Sequence, residues 1–192
     1  MHDDEMDIED ILENANPKKK KIKTGQKGKR VERDVVHLLN TRFQEILSKS
    51  GEGFSRSIGS GNRWGQGVML SAQAKQTFSG DIACPTNFIW TIESKGGYND
   101  IDLNSVFDGG NSTLNEFIKQ VSDDAERTSR KPIILWKKDR RPRLAILKLD
   151  DVKTHLDPEK IQYFMHYREW VMVNFDFVLT LPDEFFFKTT AI

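Results

Sequence analysis

The chain of 192 residues has little with which to build a covalent or soft-metal cross-link. It contains one cysteine, Cys84, and four scattered histidines. One cysteine excludes an internal disulfide and a cysteine-rich zinc site, and the histidines lack the spacing of metal ligands. The sequence also lacks an apolar run near the roughly 20 residues of a membrane span, and it lacks a signal-peptide core. The default expectation is therefore a soluble protein of the cytoplasm.

Net charge is absent as well, because 29 basic residues balance 29 acidic ones. The balance hides an asymmetry: residues 1–16 carry seven acids and no lysine or arginine, whereas residues 17–33 carry nine bases and one acid. Residues 1–27 have little to bury and are predicted to be a flexible acidic-then-basic arm. Its lysine run is either a solvated tether or a phosphate contact. Residues 28–192 are predicted to form one domain, with a core over 28–150 and a C-terminal extension over 151–192.

Hydrophobic periodicity predicts a mixed α/β fold in which helices cover one sheet. The predicted helices span residues 28–51, 113–128 and part of 157–170. The predicted strands lie at residues 54–58, around Ile82, at 88–95, in a hairpin over 132–149, and at 171–181. The hairpin turn, Lys137 to Arg143, is either a solvated tip or a phosphate-contacting patch. The phenylalanine-rich segment near the C-terminus is expected to be buried, in the core or against a second subunit.

The strand that ends in Glu93-Ser94-Lys95 carries two opposite charges on one face, because residues i and i+2 of a strand share a face. The residues before them are apolar on both faces, which predicts a central strand. Charges at the end of such a strand are costly unless they are paired or bound to a metal. Spacing alone leaves both options open: a plain ion pair, or part of a metal site.

Asp81 strengthens the second option if the strand around Ile82 pairs with the next one as a hairpin, because Asp81 then lies near Glu93. Two carboxylates repel each other unless a positive charge lies between them. Mg²⁺ fits, since it is a hard cation that binds one or two carboxylates and takes its other oxygens from water and phosphate. Lys95 would then face the metal-bound water or the phosphate.

The order of these motifs resembles the PD-(D/E)XK nuclease superfamily, with Gly80 where the motif name has proline. The segment "GQKGKRVERDVVHLL" resembles the first helix of archaeal-type Holliday junction resolvases and their phage relatives. The resemblance implies a restriction-endonuclease-like fold, a central mixed β-sheet flanked by helices. It also implies Mg²⁺ as cofactor, with Mn²⁺ as a substitute, and a phage or virus origin.

Carried over by position, the resemblance implies specific site residues. The implied catalytic residues are Glu32, Ser57, Asp81, Glu93, Lys95 and Gln120. The implied metal ligands are Asp81, Glu93 and Glu32. The implied DNA contacts are Lys27, Lys29, Arg30, Arg56, Arg63 and Trp64. Two alternatives stay open here: Arg56 could pair with an acid at the rim, and Trp64 could close a small core instead of stacking on a base.

These features together predict a Mg²⁺-dependent, structure-specific DNA endonuclease that resolves four-way junctions as a homodimer. Two alternatives remain. The first is another nuclease of the same superfamily, of the restriction, repair or exonuclease type. The second is a non-catalytic DNA-binding protein on the same fold, which would bind DNA with a steep salt dependence.

Overall fold

The structure is a computed structural model that describes residues 24–57, 80–98, 112–157 and 164–188. Its helices are α1 (Thr24–Arg42), α2 (Gln44–Ser50), α3 (Ser112–Thr128), α4 (Leu149–Val152) and α5 (Phe175–Val178). Its strands are β1 (Ser55–Arg56), β2 (Ile82–Ala83), β3 (Trp90–Gly96), β4 (Lys131–Lys137), β5 (Arg143–Lys148), β6 (Met165–Tyr167) and β7 (Trp170–Asn174). None of the helices in these ranges is long and apolar enough to cross a membrane.

Five of the strands form one mixed sheet in the order β3-β4-β5-β7-β6. Strands β3 and β4 are parallel, and α3 makes the crossover between them, whereas the remaining pairs are antiparallel. Strands β1 and β2 form a separate antiparallel pair. This arrangement confirms the predicted mixed α/β architecture with a helix-flanked mixed sheet.

Each face of the large sheet buries its own apolar cluster, as alternation along the strands requires. On one face α1 packs against β3, and the cluster there extends to β4 and β5; it includes Val35, Leu39, Phe43, Ile92, Ile133 and Leu135. On the other face α3 packs with the apolar stripe predicted from its spacing, and this cluster includes Leu114, Phe117, Val121, Ile134, Trp136 and Ile146. The candidate active site lies on the β3 side of this second face.

The phenylalanine-rich segment near the C-terminus is buried in the core. Phe185, Phe186 and Phe187 are each at most 6% exposed, and the rings of the last two lie 4.8 and 5.0 Å from the ring of Phe43. The guanidinium of Arg42 fastens this segment to α1 by donating to the carbonyl oxygens of residues 179 and 181 at 2.7 and 3.1 Å. The predicted burial is therefore confirmed.

Strand β3 is not central, which corrects one prediction. It is the first strand in the order, and β2 pairs with β1 instead of forming a hairpin with it. The residues before β2 nevertheless cover its outer edge, since the Asp81 N–H donates to the Ile92 carbonyl at 3.0 Å. Coverage by this short segment and by helices on each face explains how an edge strand is apolar on both sides.

The predicted helix within residues 157–170 is also wrong over the part that the structure describes. Met165–Tyr167 and Trp170–Asn174 form the β6–β7 hairpin, with Arg168 in its turn at φ 56°. The predicted last strand then stops at Asn174, whose side chain accepts a hydrogen bond from the Asp176 N–H and starts α5. Closely spaced aromatic residues suit either a helix or a strand, and the turn and the sheet partner decide between them.

Candidate active site

A sharp bend at Gly80 brings Asp81 against β3. Gly80 has φ +77°, and a Cβ atom there would lie 2.5 Å from the Ile92 carbonyl oxygen. Glycine alone adopts this backbone readily and leaves room for the approach. A proline is held near φ −65° and could not adopt it, so the departure from the motif name has a backbone cause.

Two hydrogen bonds then hold Asp81 on either side of Glu93. The Asp81 N–H donates to the Ile92 carbonyl at 3.0 Å, and the Ser94 N–H donates to the Asp81 carboxylate at 3.0 Å. The Asp81 and Glu93 side chains are close enough for the charge of Asp81 to act on Glu93. Two carboxylates placed this close repel each other, which favours a proton on one of them.

Burial sets the protonation of this pair. Glu93 is 2% exposed, and its pKa is raised to about 8, first by burial and then by the charge of Asp81. The Lys95 ammonium lowers the pKa of Glu93 but does not outweigh those two causes. Burial also raises the pKa of Asp81, although the Ser94 N–H and Lys95 oppose it. Burial and mutual repulsion therefore favour protonation of this pair in the free protein.

The Lys95 ammonium is fixed by three neighbours. It donates to Glu93 Oε1 at 2.6 Å and to Gln120 Oε1 at 2.8 Å, and it lies 4.9 Å from the centre of the Phe117 ring. Gln120 and Phe117 both belong to α3, so this helix positions the Lys95 ammonium. Lys95 and Gln120 thus meet across the sheet-helix boundary, as the resemblance implied.

Glu32, Arg56 and Ser57 join the same cluster from the other side. The Arg56 Nε donates to Glu32 Oε2 at 2.7 Å, and the Ser57 N–H donates to the Asp81 carbonyl at 2.9 Å. Glu32 is buried, and its charge contributes to the raised pKa of Asp81. We call Glu32, Arg56, Ser57, Asp81, Glu93, Lys95 and Gln120 the charged cluster.

The donor atoms of Asp81 and Glu93 fit a hard divalent cation. They are carboxylate oxygens, they converge, and their mutual repulsion is one that a cation could relieve. Within the described ranges, no three His, Cys, Asp or Glu side chains are grouped to hold one ion. Glu32 is bound to Arg56 instead. The pair alone suits Mg²⁺, which commonly takes one or two protein carboxylates, and the set Asp81, Glu93 and Glu32 stays a prediction.

Residues 23–190 match a family of known sequences described as "Phage putative PDDEXK endonuclease". The match covers most of the chain and all of the charged cluster. The chain belongs to this family. No curated protein and no solved structure matches the chain.

Membership in the PDDEXK endonuclease family supports nuclease activity. It confirms the PD-(D/E)XK superfamily that the motif order indicated. It also agrees with the fold, because the family match includes both the five-stranded sheet and the helices that flank it. The motif order in this family member is therefore matched by contacts: α1, β1, the Gly80 bend, β3 and α3 each deliver a side chain to one place.

Several predicted DNA contacts of this family member are not joined to the charged cluster within the described ranges. Lys29 and Arg30 are exposed on α1. The Lys27 side chain, Arg63 and Trp64 lie outside the described residues. Their DNA contacts stay predictions, and Arg56 is placed at the rim by its pairing with Glu32.

Asp124 is a site residue that the sequence interpretation missed. It is 8% exposed on α3, one helical turn after Gln120, and its charge acts on Glu93 and Lys95. Burial raises its pKa, and Arg127 opposes this from 2.9 Å. The signal was available, because residues i and i+4 of a helix share a face and Gln120 was already assigned to the site.

Proposed function

We propose that this protein is a Mg²⁺-dependent DNA endonuclease that hydrolyses phosphodiester bonds at the charged cluster. One observation carries the proposal: Asp81 is bent back beside the buried carboxyl group of Glu93, and the Lys95 ammonium lies 2.6 Å from Glu93. A plain structural ion pair needs one carboxylate. The second, Asp81, reaches Glu93 through the bend that Gly80 permits at φ +77°. It adds repulsion that a divalent cation would relieve.

Asp81 and Glu93 would hold the cation, which when bound supplies an activated water and neutralises charge on the phosphate. The chain's own contribution is placement. Gln120 and Phe117 aim the Lys95 ammonium, which can donate to the attacking water or to the phosphate oxygens as charge develops. Because the site is largely buried, each of these interactions is stronger than in water.

Arg56 lies at the rim of the charged cluster. Its Nε is bound to Glu32, and its side chain is 32% exposed, so the rest of its guanidinium is partly open to solvent. A guanidinium presents several donors in a fixed plane and can bind a carboxylate and a phosphate together. We propose that it contacts a phosphate beside the scissile one.

The test uses synthetic four-way junction, duplex, flap and single-stranded DNA, each with Mg²⁺ or with EDTA. The wild-type protein should cut only with Mg²⁺, and Asp81→Asn should remove cutting on every substrate. Asp150→Asn is the matched control because it makes the same change at an exposed ion pair. Cleavage by Asp81→Asn at the wild-type rate would end the proposal.

The finer proposal is that the substrate is a four-way junction and that the enzyme works as a homodimer. It rests on the resemblance of α1 and of the motif order to junction resolvases. A two-fold dimer would present two sites and nick opposing strands symmetrically. Paired symmetric nicks on a junction, with little cutting of linear duplex, are expected. Equal cutting of both would favour a restriction or repair nuclease, and tight binding without cutting would favour a DNA-binding protein.

A further inference from the structure

The turn between β4 and β5 is the most basic exposed stretch of the described residues after α1. Five cations and one acid lie within seven positions: Lys137, Lys138, Asp139, Arg140, Arg141 and Arg143. Arg140 and Arg141 are exposed, and the remaining cations are partly exposed. Asp34 and Asp176 act on the partly buried Arg143 from other elements, so the exposed Arg140 and Arg141 are the cations most open to a polyanion.

The topology places this turn beside the charged cluster. Strands β3 and β4 are parallel, so their C-terminal ends lie at the same end of the sheet. Lys95 pairs with Trp136, and Gly96 pairs with Lys137. The Gly97 N–H donates to the Lys137 carbonyl at 3.0 Å, which holds the two strand ends together. The turn therefore begins one strand away from the catalytic lysine.

A cavity of about 350 Å³ lies under the turn, lined by Trp136, Lys138, Arg141, Pro142 and Leu144. Trp136 pairs with Lys95 on one side and with Leu144 on the other, so all three project from one face of the sheet. The Lys138 Nζ lies 5.1 Å from the centre of the Trp136 ring. The cavity thus combines an apolar wall with cations. It lies on the sheet face that carries Glu93 and Lys95, the face that α3 covers.

We propose that this turn and its cavity form a DNA-binding surface that holds the strand being cut. Arg140 and Arg141 bind its phosphates, and the apolar wall packs against the deoxyribose of a nucleotide next to the scissile phosphate. This inference rests on the proposed function, because it places the cut DNA strand between the turn and the charged cluster; DNA binding by the turn can be tested separately from cutting. Phosphate contacts of this kind position a nucleic acid without selecting its sequence.

The first test measures binding in EDTA, so that it does not depend on cleavage. The double variant Arg140→Gln/Arg141→Gln should bind junction DNA about tenfold or more weakly at moderate salt. The slope of log affinity against log salt should fall by about 2, one for each phosphate that is no longer neutralised. The matched control is Lys148→Gln/Lys153→Gln, which removes the same charge at the far end of β5, roughly 17 Å away along the strand. Equal binding by both double variants would overturn the proposal.

The second test locates the DNA. Cys84 is 1% exposed, so an introduced surface cysteine can be labelled selectively with a photo-crosslinking maleimide. Arg141→Cys should crosslink to the junction strands, whereas Lys153→Cys should not. Crosslinking that is absent at position 141, or equal at both positions, would overturn the proposal.

The two proposals fail in distinguishable ways. Wild-type protein that binds DNA through the turn but never cuts it would reject the proposed nuclease and keep the binding surface. Metal-dependent cutting by a turn variant with unchanged affinity would reject the binding surface and keep the nuclease.

Discussion

Two ion pairs of this protein have the same chemistry and opposite surroundings. Lys95 and Glu93 lie 2.6 Å apart with side chains 13% and 2% exposed, and Lys153 and Asp150 lie 2.8 Å apart with side chains 59% and 87% exposed. Each joins an ammonium to a carboxylate over a short sequence separation. Distance alone does not distinguish them.

The pKa values of the two carboxyl groups move in opposite directions. The hydrogen bond from Lys153 lowers the pKa of Asp150, as expected for a carboxylate beside a cation in water. Burial and Asp81 raise the pKa of Glu93 although its lysine is closer. Burial and the nearby charge of Asp81 therefore raise the pKa of Glu93 more than Lys95 lowers it. This combination is typical of functional sites.

Replacing the lysine should give the largest contrast. Lys95→Met keeps an unbranched side chain and removes the ammonium, so single-turnover cleavage should fall by about 10²- to 10³-fold. Burial already raises the pKa of Glu93, so without the ammonium Glu93 should be neutral and the fold should persist. Lys153→Met is the control and should cut at the wild-type rate. Similar rates for the two variants would remove the functional distinction between the pairs.

Gly80 tests how the second carboxyl group reaches the buried pair. Gly80→Ala places a Cβ 2.5 Å from the Ile92 carbonyl oxygen, a backbone atom that cannot move aside easily. Overpacking of this kind costs about 1–3 kcal/mol, and the shift of Asp81 should slow cleavage as well. The measurements are urea unfolding and single-turnover cleavage.

Gly51→Ala is the matched control for Gly80→Ala. Gly51 has a similar φ of +68° and nothing within 4 Å of its Cβ position. Alanine at position 51 would therefore have the backbone strain but not the clash. Its loss of stability should be smaller, about 1 kcal/mol, and its cleavage unchanged. Equal effects at both glycines would mean that the contact with Ile92 does not position Asp81.

The pH dependence of stability sharpens the comparison further. The pKa of Glu93 rises from 4.5 to about 8 on folding, so below pH 4.5 the carboxyl group is protonated in both states. Between these values the unfolded chain releases the proton and the folded chain keeps it. The stability that this proton contributes is therefore lost as pH rises through about 8.

Glu93→Gln is neutral over that whole window. Measured in EDTA, its free energy of unfolding should increase relative to that of the wild type as pH rises, by an amount on the order of a few kcal/mol. A difference that stays constant with pH would show that Glu93 titrates normally. Added Mg²⁺ should raise the melting temperature of the wild type and not that of the variant at high pH.

The exposed pair should give the smallest effect. Asp150 has a lowered pKa, so its contribution is present above its ordinary value and is lost as pH falls through the folded pKa. Exposed pairs are weak and screened by salt. Asp150→Asn should leave the melting temperature and the cleavage rate unchanged within error, at low and at high salt. A clear loss of either would mean that pairing, not burial, distinguishes the sites.

Local periodicity was enough to predict α3, the β4–β5 hairpin and the shared face of Glu93 and Lys95. It failed for β6 and β7, where closely spaced aromatic residues resemble a helix until Arg168 turns the chain at φ 56°. It also misplaced β3, because apolar residues on both faces do not reveal whether a strand or a short covering segment lies at its edge. The missed Asp124 was a fault of interpretation, since its spacing from Gln120 was visible.

The sequence by itself determined which chemistry-bearing residues share a face, because side-chain direction follows the local backbone repeat of a strand or helix. Only the tertiary structure decided that Asp81 meets Glu93 through the Gly80 bend, that Glu32 binds Arg56, and that the basic turn opens beside Lys95. Those contacts join residues distant in the chain, and the raised pKa of Glu93 comes from the removal of water, which exists only once the chain has folded.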